Sequence, residues 1–527
     1  MKRDTWIVIL FVGLFAIFRG LNLVPVTDEF WGFGGFFHLL RWVTGADDEA
    51  FSTYLTAAWS YADGNPANLY VYHWYHVRFA WGFVYPLLST LYAACAEGLR
   101  WLLGNHTDYV EILVRAGNAA LVAHWLAIVA LVSWGILQFR DAAIRAKVAL
   151  AATVIVLFDY LIHNNYATLF HGHPVLGYLH EGFVYAMTLW SPRSAVSVLL
   201  GLYLAARILE VPGRRQWLIP LALCFHLPSA TMSCLILLGA EAVLCAVRRK
   251  ATPDLVMLAV GGLGGLLATA SVGFTGFPES TRGLLPAWDV FQIVIRHAMA
   301  HPAPNLLMPL VACGVFLLGG IRLARVAHRT GEAIMLLVLS AALALLWLQL
   351  ATGWAIVAKL ITWHDNPSVH SLLYAFSYAS STVALGVSLW LFVRGGEWLA
   401  RAVAHRISPL HATAVVALAI LVPVFLVGAV TSPASPKRVA VWPQGPVGEA
   451  FRQIWKPERW RQTAHAHASQ EKISIPQLPF SDRRLLIGKD YVVNSLVYLR
   501  ALHQWAVWGP VEGKPEIVPE LFLAGAR

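Results

Sequence analysis

"WLIPLALCFHLPSATMSCLILLGAEAVLCA", residues 217–246, is longer than one simple membrane span and carries Pro228 near its middle. A bilayer core of about 30 Å takes about 20 apolar residues in helical form. A proline inside a helix removes one backbone hydrogen bond and clashes with the preceding turn. The run therefore reads as two half-helices that enter and leave on one side. "HLPS", 226–229, is the tip, where freed backbone groups need polar partners. Whether 217–246 crosses or returns decides the sidedness of everything around it.

Working outward, the chain of 527 residues is 58% hydrophobic and only 13% charged, with a mean hydropathy of +0.60. Soluble domains carry about 25% charged residues, so the composition is that of an all-α polytopic membrane protein. Spanning-length apolar runs lie at 6–24, 79–103, 112–138, 148–163, 191–209, 217–246, 254–272, 304–321, 332–361, 372–393 and 411–430, about eleven segments. Residues 1–430 form the multi-pass part. Residues 431–527 turn proline-rich and mixed in charge at "TSPASPKR", which reads as a small C-terminal extracytoplasmic domain. "MKRDTWIVILFVGLFAIF", 1–18, has basic residues before its apolar run and no clear cleavage site, and reads as a retained anchor.

The net charge of +10 does not point to nucleic acid, because the Lys and Arg cluster between apolar runs. "QFRDAAIRAK" (138–147), "VPGRRQ" (211–216), "VRRK" (247–250), "IRLARVAHR" (321–329) and "VRGGEWLARAVAHR" (393–406) read as cytoplasmic loops. Segments 164–190, 273–303, 362–371 and the tail then face outward. From residue 139 onward the scheme closes if 217–246 is a hairpin. Upstream it does not: either one segment within 79–138 fails to cross, or one basic cluster lies on the unexpected side. The five cysteines all fall in apolar runs with no CxxC, as small packing residues do.

The first outer loop, 25–77, holds Asp28, Glu29, Asp47, Asp48, Glu49 and Asp63 against Arg41. Avoidance of positive charge in an exported loop accounts for 47–49. Asp28 and Glu29 lie within a few residues of the hydrocarbon, where ionisable groups are costly and point to function. Partial desolvation raises a carboxyl pKa and suits it to general-base work. The following "EFWGFGGFFHLLRWV" has the aromatic content of an interfacial helix.

Other outward stretches carry candidate substrate contacts. "NNYATLFHGHPVLGYLHEGFVYAMTLWSPRS", 164–194, holds His171, His173, His180, Glu181 and Arg193. Arg193 opens a spanning segment, where it either grips a phosphate bidentately or snorkels as an anchor. "LYVYHWYHVRFAW", 69–81, adds Arg78, in what is also ordinary interfacial-belt composition. "FTGFPESTRG", 274–283, adds Glu279 and Arg282, and "TWHDNPSVH", 362–370, adds His364 and Asp365. His171-x-His173 lacks a nearby carboxylate, so no metal ligand set is assigned. His124 and His226, inside apolar runs, read as buried rings with a hydrogen bond each. No GxxxxGK[ST], GxSxG or HExxH pattern occurs.

This layout resembles the GT-C superfamily of integral membrane glycosyltransferases: one N-terminal span, an acid just outside it, a long outer loop with an interfacial helix, then many spans. "HTDYVEILVRAGNAALVAHWLAIVALVSWGILQFRDAAIRAKVALAA", with Arg115 in its apolar run, is similar to the family's second and third spans. "LWSPRSAVSVLLGLYLAARI" and "LIPLALCFHLPSATMSCLILL" are similar to those that follow. The likeness covers about the first 250 residues and is one of layout. It implies a polyprenyl-phosphate-sugar donor, a glycan, lipid or protein acceptor, and catalysis at the outer face of a bacterial inner or plasma membrane. The family's catalytic base maps onto Asp28, with Glu29 as neighbour. The family varies in its need for a divalent metal, so no cofactor is assigned beyond a possible one. Two alternatives stay open. A glycan polymerase or ligase of another membrane fold would centre on later arginines and histidines. A metal- or haem-containing membrane oxidoreductase is prompted by the twenty histidines, yet no pair on facing spans is spaced to clamp a haem.

Overall fold

The structure is a computed structural model that describes residues 3–21, 69–72, 77–80, 86–103, 109–169, 192–212, 214–272, 274–276, 287–361, 367–404 and 406–431. In chain order the elements are α1 (Arg3–Leu21), β1 (Leu69–Tyr72), β2 (Val77–Ala80), α2 (Pro86–Leu103), α3 (Tyr109–Leu137), α4 (Ala142–Leu169) and α5 (Pro192–Ile208). A short 3-10 turn (Arg215–Trp217) leads into α6 (Leu218–Leu223), then α7 (Leu227–Arg248) and α8 (Pro253–Ala259). A π-helical turn (Val260–Gly264) joins α8 to α9 (Gly265–Val272), followed by β3 (Phe274–Gly276) and α10 (Ala287–Ala300). Last come α11 (Pro304–Ala324), α12 (Thr330–Val357), α13 (Pro367–Ala402) and α14 (Pro409–Thr431). The described residues are thus helical, as expected, apart from three short strands. Among the described residues, four stretches are long and apolar enough to cross a membrane: Leu227–Arg248, Leu306–Ala324, Thr330–Val357 and Ala379–Ala402.

The 217–246 run is a hairpin with unequal limbs. The short α6 ends at Leu223, and the chain turns through Cys224–His226. His226 is extended (φ −150°, ψ 101°), and its side chain accepts from the Ser229 backbone N–H, so it caps α7. Pro228 lies in the first turn of α7, where a missing N–H costs nothing. At its other end α7 closes on Arg249 in the left-handed region (φ 53°). Arg215, just before α6, reaches Asp254 at the start of α8 (Nη2 to Oδ2, 2.9 Å), so both limbs begin and end at one level.

Side-chain bonds gather the basic loops at that same end. Asp141 caps α4 through the Ala143 N–H (2.8 Å), and Lys147 in α4 pairs with Glu397 in α13 (2.6 Å). The Arg248 guanidinium donates to the Ala324 and Val326 carbonyls and to Thr330 Oγ1, tying α7 to the turn between α11 and α12. Glu210, after α5, accepts from the Gly331 N–H (2.7 Å). Helices α5 and α13 run parallel in close contact: a Cβ on Gly201 would lie 2.8 Å from Leu385, and one on Gly386 would lie 2.7 Å from Leu204. Small residues permit this approach in the absence of a hydrophobic drive between helices.

The upstream conflict resolves at α2. The Leu87 N–H donates to the Cys224 carbonyl (2.8 Å), so α2 begins beside the hairpin tip, not at the basic end. In α3, His124 meets Phe225 edge-on (5.4 Å), while Gly135 packs on Leu202 and Leu218 nearer the basic end. Helix α3 therefore runs from beyond the tip to the basic end, and α2, packed along it, leads away from that end. Of the two possibilities left by the sequence, the structure has the first: the segment at 79–103 does not traverse the bundle. Its far turn exposes Trp101 (83%) and Leu102 (69%).

At the end opposite the basic loops, β1, β2 and β3 form a small antiparallel sheet in that order. Nearby, Val290, Val294 and Ala298 of α10 bury against Leu306, Ala351, Ala355 and Ile361. The 25–68 part of the first outer loop, with its expected interfacial helix, and the expected domain after 431 lie outside the described residues.

Candidate functional site

Ten of the residues singled out from sequence lie outside the described residues: Asp28, Glu29, His171, His173, His180, Glu181, Glu279, Arg282, His364 and Asp365. Arg78 and Arg193 are placed through their backbones. Arg78 pairs in register with Val71 on one side and Thr275 on the other, so the first outer loop and the 274–283 stretch meet in one sheet. Arg193 lies in the first turn of α5, at the end opposite Arg207.

The flanking elements state where the other segments attach. Residues 170–191 join the far end of α4 to the far end of α5. Residues 277–286 follow β3, and 362–366 join the far ends of α12 and α13. The described ends that flank these segments lie at the end of the bundle opposite the basic loops.

A second cluster was not expected. In α5, Arg207 donates to Glu241 through Nε (3.2 Å) and Nη2 (2.9 Å), and Thr252 Oγ1 donates to the same carboxylate (2.7 Å). Arg215 holds Asp254 through Nε (3.2 Å) and Nη2 (2.9 Å), and the Tyr203 hydroxyl donates to Asp254 (3.0 Å). Two cations and two carboxylates thus balance in a buried, fully hydrogen-bonded group. With every carboxylate oxygen engaged, it clamps α5, α7 and α8 together and leaves nothing to offer a substrate. Arg207 and Glu241 each lie in an apolar run, which is the signal that could have found them.

Among the described residues, the buried polar side chains farther from the basic end are hydroxyls, histidine rings and the Gln349 amide. Ser197 meets Ser381 (2.6 Å between hydroxyls), and Ser233 meets Thr382 (3.0 Å). Ser229 and the His226 ring are 2.6 Å apart, and both are buried as expected for His226. Gln349 is 1% exposed and Thr231 3% exposed; neither Gln349 Oε1 nor Thr231 Oγ1 has a hydrogen-bond partner among the described residues. Thr231 faces the bare backbone of Gly265 in α9. Among the described residues no three His, Cys, Asp or Glu side chains converge to hold a metal ion.

No family is assigned by comparison. No protein-family model matches the chain, and no curated protein or solved structure matches it. The polar end of the bundle is left to speak through its own chemistry.

Proposed function

We propose that this chain is a membrane glycosyltransferase that moves a sugar from a polyprenyl-phosphate donor to a glycan, lipid or protein acceptor at the outer face. The supporting observation is that Arg78, Arg193 and the described helix and strand ends flanking the other candidate segments lie at the end opposite the basic loops. Under the positive-inside rule the basic end is cytoplasmic and the opposite end is external. Of about eleven apolar segments, 79–103 then fails to cross and 217–246 is re-entrant, which leaves about nine full crossings.

In this reading Asp28 takes the proton of the acceptor hydroxyl as its oxygen attacks the anomeric carbon. The bond from that carbon to the phosphate oxygen breaks, the electron pair leaves with the polyprenyl phosphate, and the anomeric centre inverts. Glu29 is the neighbouring candidate for the base, and Arg78 and Arg193 stabilise the departing phosphate. His171, His173, His180, Glu181, Glu279, Arg282, His364 and Asp365 line the acceptor side. No soluble nucleotide is required, in keeping with the lack of a phosphate-binding loop.

The test is Asp28→Asn in the full chain at unchanged protein level. Loss of a general base lowers turnover by about 10²–10⁴-fold. Native mass spectrometry of the gently solubilised protein gives a second reading through a co-purified polyprenyl phosphate or lipid-linked sugar. Full activity in Asp28→Asn removes the base from Asp28. Bound haem or stoichiometric copper or iron in place of the lipid sinks the proposal.

A further inference from the structure

Two histidines stand one turn apart where α10 ends, His297 inside the helix and His301 just past it. The His301 N–H donates to the His297 carbonyl (3.0 Å), so the helical turn carries on to His301. Helical spacing puts both on the stripe of Val290, Val294 and Ala298, the face of α10 that buries against Leu306, Ala351, Ala355 and Ile361. His301 is exposed and His297 half-buried. The Nε2 atom of His297 is itself buried and has no hydrogen-bond partner among the described residues. Such atoms are nearly always paired with protein, water or a ligand.

The two ring centres lie 4.9 Å apart, with the planes inclined at 56°. A shared metal ion asks for about that separation. Zinc binds an imidazole nitrogen at about 2.0–2.1 Å, which puts the ring centre about 3.2 Å from the metal. Two rings at a right angle about the metal would then have centres about 4.5 Å apart, and at the tetrahedral angle about 5.1 Å. Ring packing alone also allows this distance, but it leaves Nε2 unsatisfied, and a shared ion does not. Histidines at i and i+4 of a helix can both reach one ion, as they do in helical zinc sites.

No third His, Cys, Asp or Glu joins the pair among the described residues. Arg296, next in the chain, is engaged elsewhere: its Nη2 donates to Gln292 (3.0 Å). Imidazole without carboxylate suits zinc, copper and nickel, whereas magnesium, calcium and manganese prefer oxygen ligands. We propose that His297 and His301 chelate a divalent transition-metal ion, zinc by preference, where α10 turns into α11. Solvent completes the coordination on the exposed side of His301. Only Pro302 and Ala303 separate His301 from α11, so the ion would fasten the α10–α11 corner at the end opposite the basic loops. The site is independent of the transferase reading.

The experiment titrates Zn²⁺ into the solubilised full chain, purified without a polyhistidine tag and stripped with a chelator. A chromophoric indicator reads free zinc, and thermal unfolding reads stability. One zinc should bind to the wild-type chain and raise its melting temperature. Both His297→Ala and His301→Ala should weaken that binding by at least about tenfold and abolish the rise in melting temperature. His328→Ala, which removes an exposed histidine at the basic end, should change neither. A roughly hundredfold excess of Mg²⁺ should not displace the zinc. Because His301 is exposed, His301→Ala should melt like the wild type in chelator, and it decides the matter even if His297→Ala fails to fold. Zinc binding unchanged in His301→Ala, zinc displaced by Mg²⁺, or a wild-type chain that binds no zinc overturns the proposal.

Discussion

Arg207 holds the Glu241 carboxylate through two of its nitrogens inside an apolar helix, and its removal exposes the logic of the cluster. Arg207→Ala would strand Glu241 in a buried setting with only Thr252 as donor. Breaking a buried pair on one side costs about 3–5 kcal/mol, so thermal unfolding in detergent should drop sharply. Replacing both partners, Arg207→Leu with Glu241→Leu, should recover much of the loss. Equal damage from the single and double changes would refute a purely structural clamp. At this scale the sequence was legible in part. His226 and its "HLPS" context pointed correctly to a polar-capped turn, because a proline in an apolar run leaves few alternatives. The Arg207–Glu241 pair was missed because "VPGRRQ" and "VRRK" satisfied the positive-inside pattern and drew attention to the loops. Asp28 and Glu29 were chosen from their distance to the first span, a criterion that needs no fold.

Among the elements, the contact of α5 with α12 is the least forgiving. A Cβ on Gly331 would collide with the Ile208 carbonyl oxygen, and the Gly331 N–H is already held by Glu210. Gly331→Ala must push the two helix ends apart, at a cost of about 1–3 kcal/mol for overpacking. A clear fall in the melting temperature is expected, whereas Gly239→Ala in α7, with open space around it, should be near neutral. Matching melting curves for the two variants would show that the close approach does not matter. The long helices were readable from run length and hydropathy, whereas α10 falls in 273–303, read as an outward segment. What hydropathy could not distinguish was α2 from its neighbours. "YPLLSTLYAACAEGLRWLL" is apolar enough to be taken for a span, and only the bond from Leu87 to Cys224 shows where it starts. Likewise the sheet joining Arg78 to Thr275 depends on partners about 200 residues apart, which no local pattern encodes.

For the molecule as a whole, sidedness is the property on which the functional reading turns. In a background with the native cysteines replaced, Leu102→Cys at the far turn of α2 should react with a membrane-impermeant maleimide in intact cells. Arg249→Cys at the basic end should react only after permeabilisation. Reaction of both from the same side would cancel the separation of basic loops from candidate residues. That the basic loops after residue 139 gather at one end of the bundle was recoverable from the charge clusters together with the hairpin reading of 217–246. No motif in the sequence fixes the location of the chemistry, so the candidate residues rest on the placement of their segments between apolar runs.

The clamp at Tyr203, Arg207, Arg215, Glu241, Thr252 and Asp254 also sets an order of assembly. All its members fall within about 50 consecutive residues, so the unit can close as soon as α8 has left the ribosome. The pairs Ser197–Ser381 and Ser233–Thr382 span 184 and 149 residues and must wait for α13. Biogenesis would thus deliver a preformed α5–α8 block, already rigid at the basic end, onto which the later helices close last.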